Sequence, residues 1–206
     1  MQLRFSTSLT SAEYVSEQGW QKASLERCPA HPEGGCGFSR HGTYPRVNPP
    51  GSLIARWYCP DAQQTFSLLP DCFAAKLPGT LDEVEAAVDQ LEKVGSQEAA
   101  VQRLRVEIEL PGALRWLRLR AQAVDVSLIT LKGLLPELFA DCQPTLTSFR
   151  EHLGVRSVLM ELRRIGAAFL DVLPAPLGFR RRRKPGGKVK SAGQQSTGTD
   201  PPAALA

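Results

Sequence analysis

No stretch of about 18 uncharged apolar residues occurs in this chain of 206 residues, so no membrane-spanning helix is expected. The longest apolar run, around Val126–Leu135, is interrupted by Lys132 and Gly133 and closed by Pro136. The opening residues, Met1-Gln2-Leu3-Arg4-Phe5-Ser6, lack the apolar core of a secretory leader. Five cysteines, odd in number and irregular in spacing, do not make the framework of a disulfide-stapled secreted domain. A reducing cytoplasm, with thiols free for metal, is therefore the expected compartment. Acidic residues are missing between Gly37 and Tyr58, and long β-prone runs are missing after Gly79.

What is present is ordinary in bulk and uneven in distribution. Hydrophobic residues make up 42% and charged residues 22%, the composition of a globular chain with one or two small domains. The formal net charge of +4 belongs to the end of the chain. From Arg180 onward stand seven bases (Arg180 to Arg183, Lys184, Lys188, Lys190) and one acid, Asp200. Taking these from 25 bases and 21 acids leaves 18 against 20, a formal charge of −2 over residues 1–179. Any nucleic-acid surface on the body must then be local.

Residues 1–26 read as a short strand and a helix, with Thr10 and Glu13 spaced as a capping box. Residues 27–79 are rich in Gly, Pro, Asn and Ser around β-prone pieces such as Leu53-Ile54-Ala55-Arg56-Trp57-Tyr58, the material of a ribbon and its connector. A second capping box, Thr80 with Glu83, opens residues 80–135. These carry an acidic helix, a short helix through Leu104, and a third helix begun at Pro111. Leu110, Leu114, Leu117, Ala121 and Val124 form the apolar stripe of that third helix. Residues 136–173 read as further helices, among them Thr145–His152 and Val155–Val172. From Pro174 to residue 206 the chain turns to Pro, Gly, Arg, Lys, Ser and Thr, a composition expected to stay disordered.

Cys28-Pro-Ala-His31-Pro-Glu-Gly-Gly-Cys36-Gly, followed far along by Trp57-Tyr58-Cys59-Pro60, holds the chemistry. Cys28, His31, Cys36 and Cys59 supply four donors, enough for a closed, structural zinc site in a segment too short to build its own core. Four protein ligands leave no position for an activated water, so hydrolysis at the metal is not expected. Position 62, where a second paired thiol would stand, is alanine, and His41 and Cys72 are spare donors. The bland alternative makes Cys36 and Cys59 buried apolar thiols and His31 a turn residue.

Arg40, Arg46 and Arg56, with His41, interleave with Phe38, Tyr44, Trp57 and Tyr58, a pattern able to hold phosphates and stack on bases. Phe38 and Trp57 equally suit the small core of the ribbon. On the third helix, opposite the leucine stripe, lie Arg115, Trp116, Arg118 and Arg120. Arginine there suits a guanine edge or a phosphate, and an ordinary solvated face is the competing reading. Leu153-Gly154-Val155-Arg156-Ser157 also has the look of a turn between DNA-binding helices, but the helix after it is apolar. The run Arg180–Lys184 suits a polyanion anchor without specificity.

The cysteine–histidine motif, with Arg40-His41-Gly42-Thr43-Tyr44, Ile54-Ala55-Arg56-Trp57-Tyr58-Cys59-Pro60 and Thr65-Phe66-Ser67-Leu68-Leu69-Pro70, resembles the N-terminal zinc ribbon of bacterial insertion-sequence transposases and related orphan proteins. The resemblance covers about residues 25–125 and implies a ribbon followed by a helix-turn-helix. It departs at Ala62, where the family usually has a cysteine. It does not carry catalysis, since the strand-rich core that holds three carboxylates in such transposases has no counterpart after Gly79. The expectation is an α+β protein with a small zinc ribbon, a helix-turn-helix-like region and a basic tail. It would be a cytoplasmic, nucleoid-associated DNA-binding protein without its own catalytic site, partnered by DNA, by a transposase, or by itself through the C-terminal helices. The alternative is a zinc-stapled helical protein-interaction module.

Overall fold

The computed structural model describes residues 1–104 and 110–180, and its architecture is α+β with the sheet first and the helices after it. Strand β1 (Gln2–Phe5) runs parallel to β4 (Gln64–Pro70), while β3 (Leu53–Cys59) runs antiparallel to both β4 and β2 (Ser39–Pro45). The order across the sheet is β1-β4-β3-β2. Alternation along β3 divides the two faces. Ala55, Trp57 and Cys59 point into small clusters with Phe66, Leu68 and Leu3. Arg56 and Tyr58 lie on the opposite face, beside Ser67 and Thr65 of β4.

Helix α1 (Ser11–Ser16) is opened by Thr10 and Glu13 in the expected reciprocal box. It places Tyr14 against Ile54, Leu69 and Phe73, and Tyr14 donates its hydroxyl hydrogen to the Leu53 carbonyl at 2.9 Å. A single turn at Gly19–Gln21 then leads into the loop that carries the first metal-type donors.

Helix α2 (Leu81–Val94) is opened by Thr80 and Glu83, again as the spacing predicts, and stopped by left-handed Gly95 at φ 68°. It is followed by α3 (Gln97–Leu104), α4 (Leu110–Leu134), α5 (Pro136–Phe139), α6 (Leu146–Leu153) and α7 (Val158–Ile165). The main core gathers Leu81, Val84 and Val88 of α2, Val124, Leu128 and Leu131 of α4, and Leu146, Phe149, Val158, Leu159 and Leu162 of α6 and α7. A smaller core of Ala87, Ala100, Val101, Ala113 and Leu117 joins α2, α3 and the first half of α4. Between sheet and helices, residues 71–79 form a connector that is buried over Asp71–Ala75, with Phe73, Ala74 and Ala75 at 0% exposure, and that surfaces at Lys76 and Pro78.

Three boundaries differ from the sequence reading. Residues 1–26 are not a separate piece, because β1 completes the ribbon's own sheet by pairing with a strand more than sixty residues away. The expected helix over Val155–Val172 is shorter: α7 stops at Gly166, where a Cβ would come within 3.0 Å of side chains of Leu131 and Leu173. The loss of structure expected from Pro174 does not begin there. Leu177 is fully buried, and the Pro176 carbonyl accepts the Ala75 N–H at 2.9 Å. Residues 181–206, with the rest of the expected disordered tail and most of the basic run, lie outside the described residues, as does the link 105–109.

Candidate metal centre

The loop from Cys28 to Cys36 is shaped by its own short-range chemistry. The His31 N–H bonds the Cys28 carbonyl at 3.2 Å, closing a tight turn, and Gly34 N–H bonds the His31 carbonyl at 3.0 Å. Gly34 and Gly35 then take positive φ of 89° and 80°, a conformation costly to any residue with a Cβ, and swing Cys36 back over the turn. Cys59, the last residue of β3, meets them from the sheet.

The four donor atoms of Cys28, His31, Cys36 and Cys59 all lie within 4.8 Å of one another. Nδ1 of His31 is 3.8 Å from Cys28 Sγ and 3.3 Å from Cys59 Sγ. A tetrahedron with metal–sulfur bonds of about 2.3 Å has donor–donor edges of roughly 3.5–3.8 Å, so the quartet already sits near the size that a four-coordinate ion needs. All three thiols are buried, His31 is half-buried, and Leu3, Leu25, Phe38, Trp57 and Phe66 pack around them. The Phe38 and Trp57 rings stack at 5.3 Å, the ribbon-core role weighed for them from the sequence.

Local electrostatics favour an anionic donor at one corner. Burial pushes the Cys28 thiol up, but hydrogen bonds to the His31 ring, to backbone groups of Ala30 and His31 and to Cys59 outweigh it and bring the thiol down to about 7. Burial pushes Cys36 up, and sharing with Cys28 and Cys59 adds to the rise. The N–H of Ala62 points at Cys59 Sγ, 3.4 Å away. The turn after Cys59 thus keeps the form of a metal-binding knuckle, with a backbone N–H supporting the sulfur, although position 62 supplies no ligand itself.

The spare donors stand apart from this group. His41 lies on β2 with its ring 5.5 Å from that of Tyr58. Cys72 is packed under Tyr14 and Phe73, where burial pushes its thiol up to about 12. No described cysteine is in a disulfide.

The residues expected to meet DNA are scattered by the fold. Arg40 is exposed and donates to the carbonyls of Trp20 and Gln21 at 2.6 and 3.2 Å. Arg56 is half-buried over the Tyr44 ring at 5.7 Å. Arg115 and Arg118 are exposed on α4, with Arg118 Nε donating to Gln97 at 2.7 Å. Arg46 and Arg120 turn inward. Arg46 donates to the carbonyls of Ala74 and Gly79 at 2.8 and 3.0 Å and also bonds Leu77. Arg120 is 5% exposed, lies 4.1 Å over the half-buried Trp116 ring and donates to the Pro78 carbonyl at 3.1 Å. Both hold the connector between layers.

Comparison with protein-family models, with curated proteins and with solved structures finds no match. Among the described residues, no helix is long and apolar enough to cross a membrane.

Proposed function

We propose that this chain is a DNA-binding protein of the mobile-element type, in which Cys28, His31, Cys36 and Cys59 hold a structural zinc ion and no catalytic centre is present. The observation that carries the metal is the closed quartet of three thiols and one imidazole. Sulfur-rich, four-coordinate sites suit zinc, and full protein ligation leaves it a structural role.

The nucleic-acid surface is the sheet face turned away from the metal. His41, Tyr44, Arg56, Tyr58, Thr65 and Ser67 stand there without an acid among them, while Arg40, in register with Trp57, turns from the edge strand to the other side. Arg56, braced against Tyr44, presents a fixed cation, and the tyrosines offer ring faces for stacking. Helices α2 to α4 occupy the place that a helix-turn-helix takes after such a ribbon, and in this reading they act mainly as scaffold.

The test is fluorescence anisotropy with labelled duplex DNA across a salt series, beside metal analysis of the purified chain. One zinc per chain is expected, lost in Cys59→Ser. Affinity falls steeply with salt, and Arg56→Ala reduces the salt slope by about 1. An unchanged slope in this variant defeats the assignment of this face. The second reading, a zinc-stapled protein-interaction module, is favoured by the inward placement of Arg46 and Arg120 and the −2 charge of residues 1–179. Absence of DNA affinity at low salt in a fully metallated chain decides for it.

A further inference from the structure

Helix α4 is buried along one side and carries an apolar stripe among exposed polar residues, Arg115, Arg118, Gln122 and Asp125, along the other. Ala113, Leu117, Val124, Leu128 and Leu131 are covered by the other helices. On the outer side Leu119, Val126 and Ile129 remain 46%, 40% and 53% exposed. These are three of the few large hydrophobic side chains left exposed among the described residues. Leu119, Ala123, Val126, Thr130 and Gly133 follow one another at alternating steps of four and three, the spacing of a seam between two helices. Gly133 has nothing within 4 Å of where a Cβ would stand, so a neighbouring helix can approach closely there.

The charges beside the stripe say what should cover it. Arg118 and Asp125 are both exposed and flank the stripe on the same side, seven residues apart. A parallel copy would bring this flank against the opposite flank of its partner, where Arg120 and Ser127 are buried, and would pair neither charge. An antiparallel copy, centred near Gln122, sets Arg118 of each chain across from Asp125 of the other, and Leu119 against Ala123 and Val126. We infer that the outer face of α4 is the seam at which a second copy of this chain docks, antiparallel, to form a homodimer.

The stripe from Leu119 to Gly133 is about 21 Å long. That is modest against the roughly 1,200 Å² of a stable interface, so the dimer is weak and concentration-dependent, with a dissociation constant in the micromolar range. It does not depend on DNA binding. It leaves the sheet face free, so a dimer presents two such faces.

Sedimentation equilibrium of the full chain, from low micromolar to several hundred micromolar, tests this. The apparent mass rises from 22.5 kDa towards twice that value. Val126→Glu, at an exposed position, keeps the helical circular dichroism and removes the rise. Arg118→Glu weakens association at least tenfold, and Arg118→Glu combined with Asp125→Arg restores it. A chain that stays monomeric throughout, because another segment or partner covers the stripe, overturns the inference. So does a dimer indifferent to Val126→Glu, or one that the double exchange fails to restore.

Discussion

Arg163 has no exposed surface, and a guanidinium in that position must find an acceptor for nearly every N–H it carries. Backbone carbonyls provide them: Nε donates to Leu177 at 2.9 Å, Nη1 to Asp71 and Phe73 at 2.9 and 2.6 Å, and Nη2 to Pro176 at 2.6 Å. Burial lowers its pKa to about 10, against the pull of Asp71, so the side chain remains charged at neutral pH. One cation therefore ties the connector after β4 to the segment after Pro174. Arg46 serves the same connector from β2, and Arg4 reaches Asp71 through a two-pronged pair at 2.7 and 2.8 Å. Replacing Arg163 by Met leaves several buried carbonyls without donors and should lower the unfolding free energy by about 3 kcal/mol or more, read from urea denaturation. Arg163→Lys should recover little, since one ammonium cannot reach the spread of acceptors that the planar fork does. Nothing local in the sequence separates these arginines from solvated ones, because the acceptors named here lie between 13 and 92 residues away.

Helix α2 looks from its sequence like an acidic, water-facing helix, and its acids turn out to hold other helices in place. Asp82, Glu85, Asp89 and Glu92 fall on one side at steps of three and four. Glu85 accepts the N–H groups of Val158 and Leu159 at 3.0 and 2.9 Å, capping α7, whose own Ser157 makes no side-chain cap. Ser157 instead donates its hydroxyl hydrogen to Asp82 at 2.7 Å. Glu92 accepts the N–H groups of Leu146 and Thr147 at 2.8 and 3.1 Å, adding to the Thr145 cap of α6. Arg150 joins Glu85 and Asp89 at 2.8 and 2.7 Å. Negative charge at a helix start is favourable, and a buried cap has no water to replace it. Glu85→Ala, which orphans two buried N–H groups and one side of Arg150, should cost about 2–4 kcal/mol in denaturant unfolding. Glu92→Ala, half-exposed and backed by Thr145, should cost about 1 kcal/mol. Equal losses would show that this helix face does not act through burial.

At the scale of the whole molecule, two layers are organised by different means. The helical layer has a continuous apolar core reaching from α2 through α7. The far end of the sheet has only Phe38, Trp57, Phe66 and a few aliphatic side chains around the four donors. With the proposed zinc bound at the quartet, its removal should therefore loosen residues 25–63 and spare the helices. Hydrogen exchange with and without a strong chelator measures this: the β2–β3 pairing should lose protection, while α4, α6 and α7 keep it. Simultaneous loss in both layers would mean that the connector, held by Arg46 and Arg163, transmits the collapse.

What the sequence determined by itself is what short spacing can determine. Thr10 with Glu13 and Thr80 with Glu83 mark two helix starts, because a capping box needs only four consecutive residues. The donor quartet was legible because Gly and Pro around Cys28, His31 and Cys36 allow few other turns, and Cys59 closes a strand. Only the tertiary structure decided that β1 completes the sheet, that Arg46, Arg120 and Arg163 serve carbonyls inside, and that residues 174–180 pack while their composition suggests otherwise. Each of these rests on partners distant in sequence. A buried polar group is stabilised by whatever donor or acceptor the folded chain brings to it, and that choice leaves no mark in the neighbouring residues.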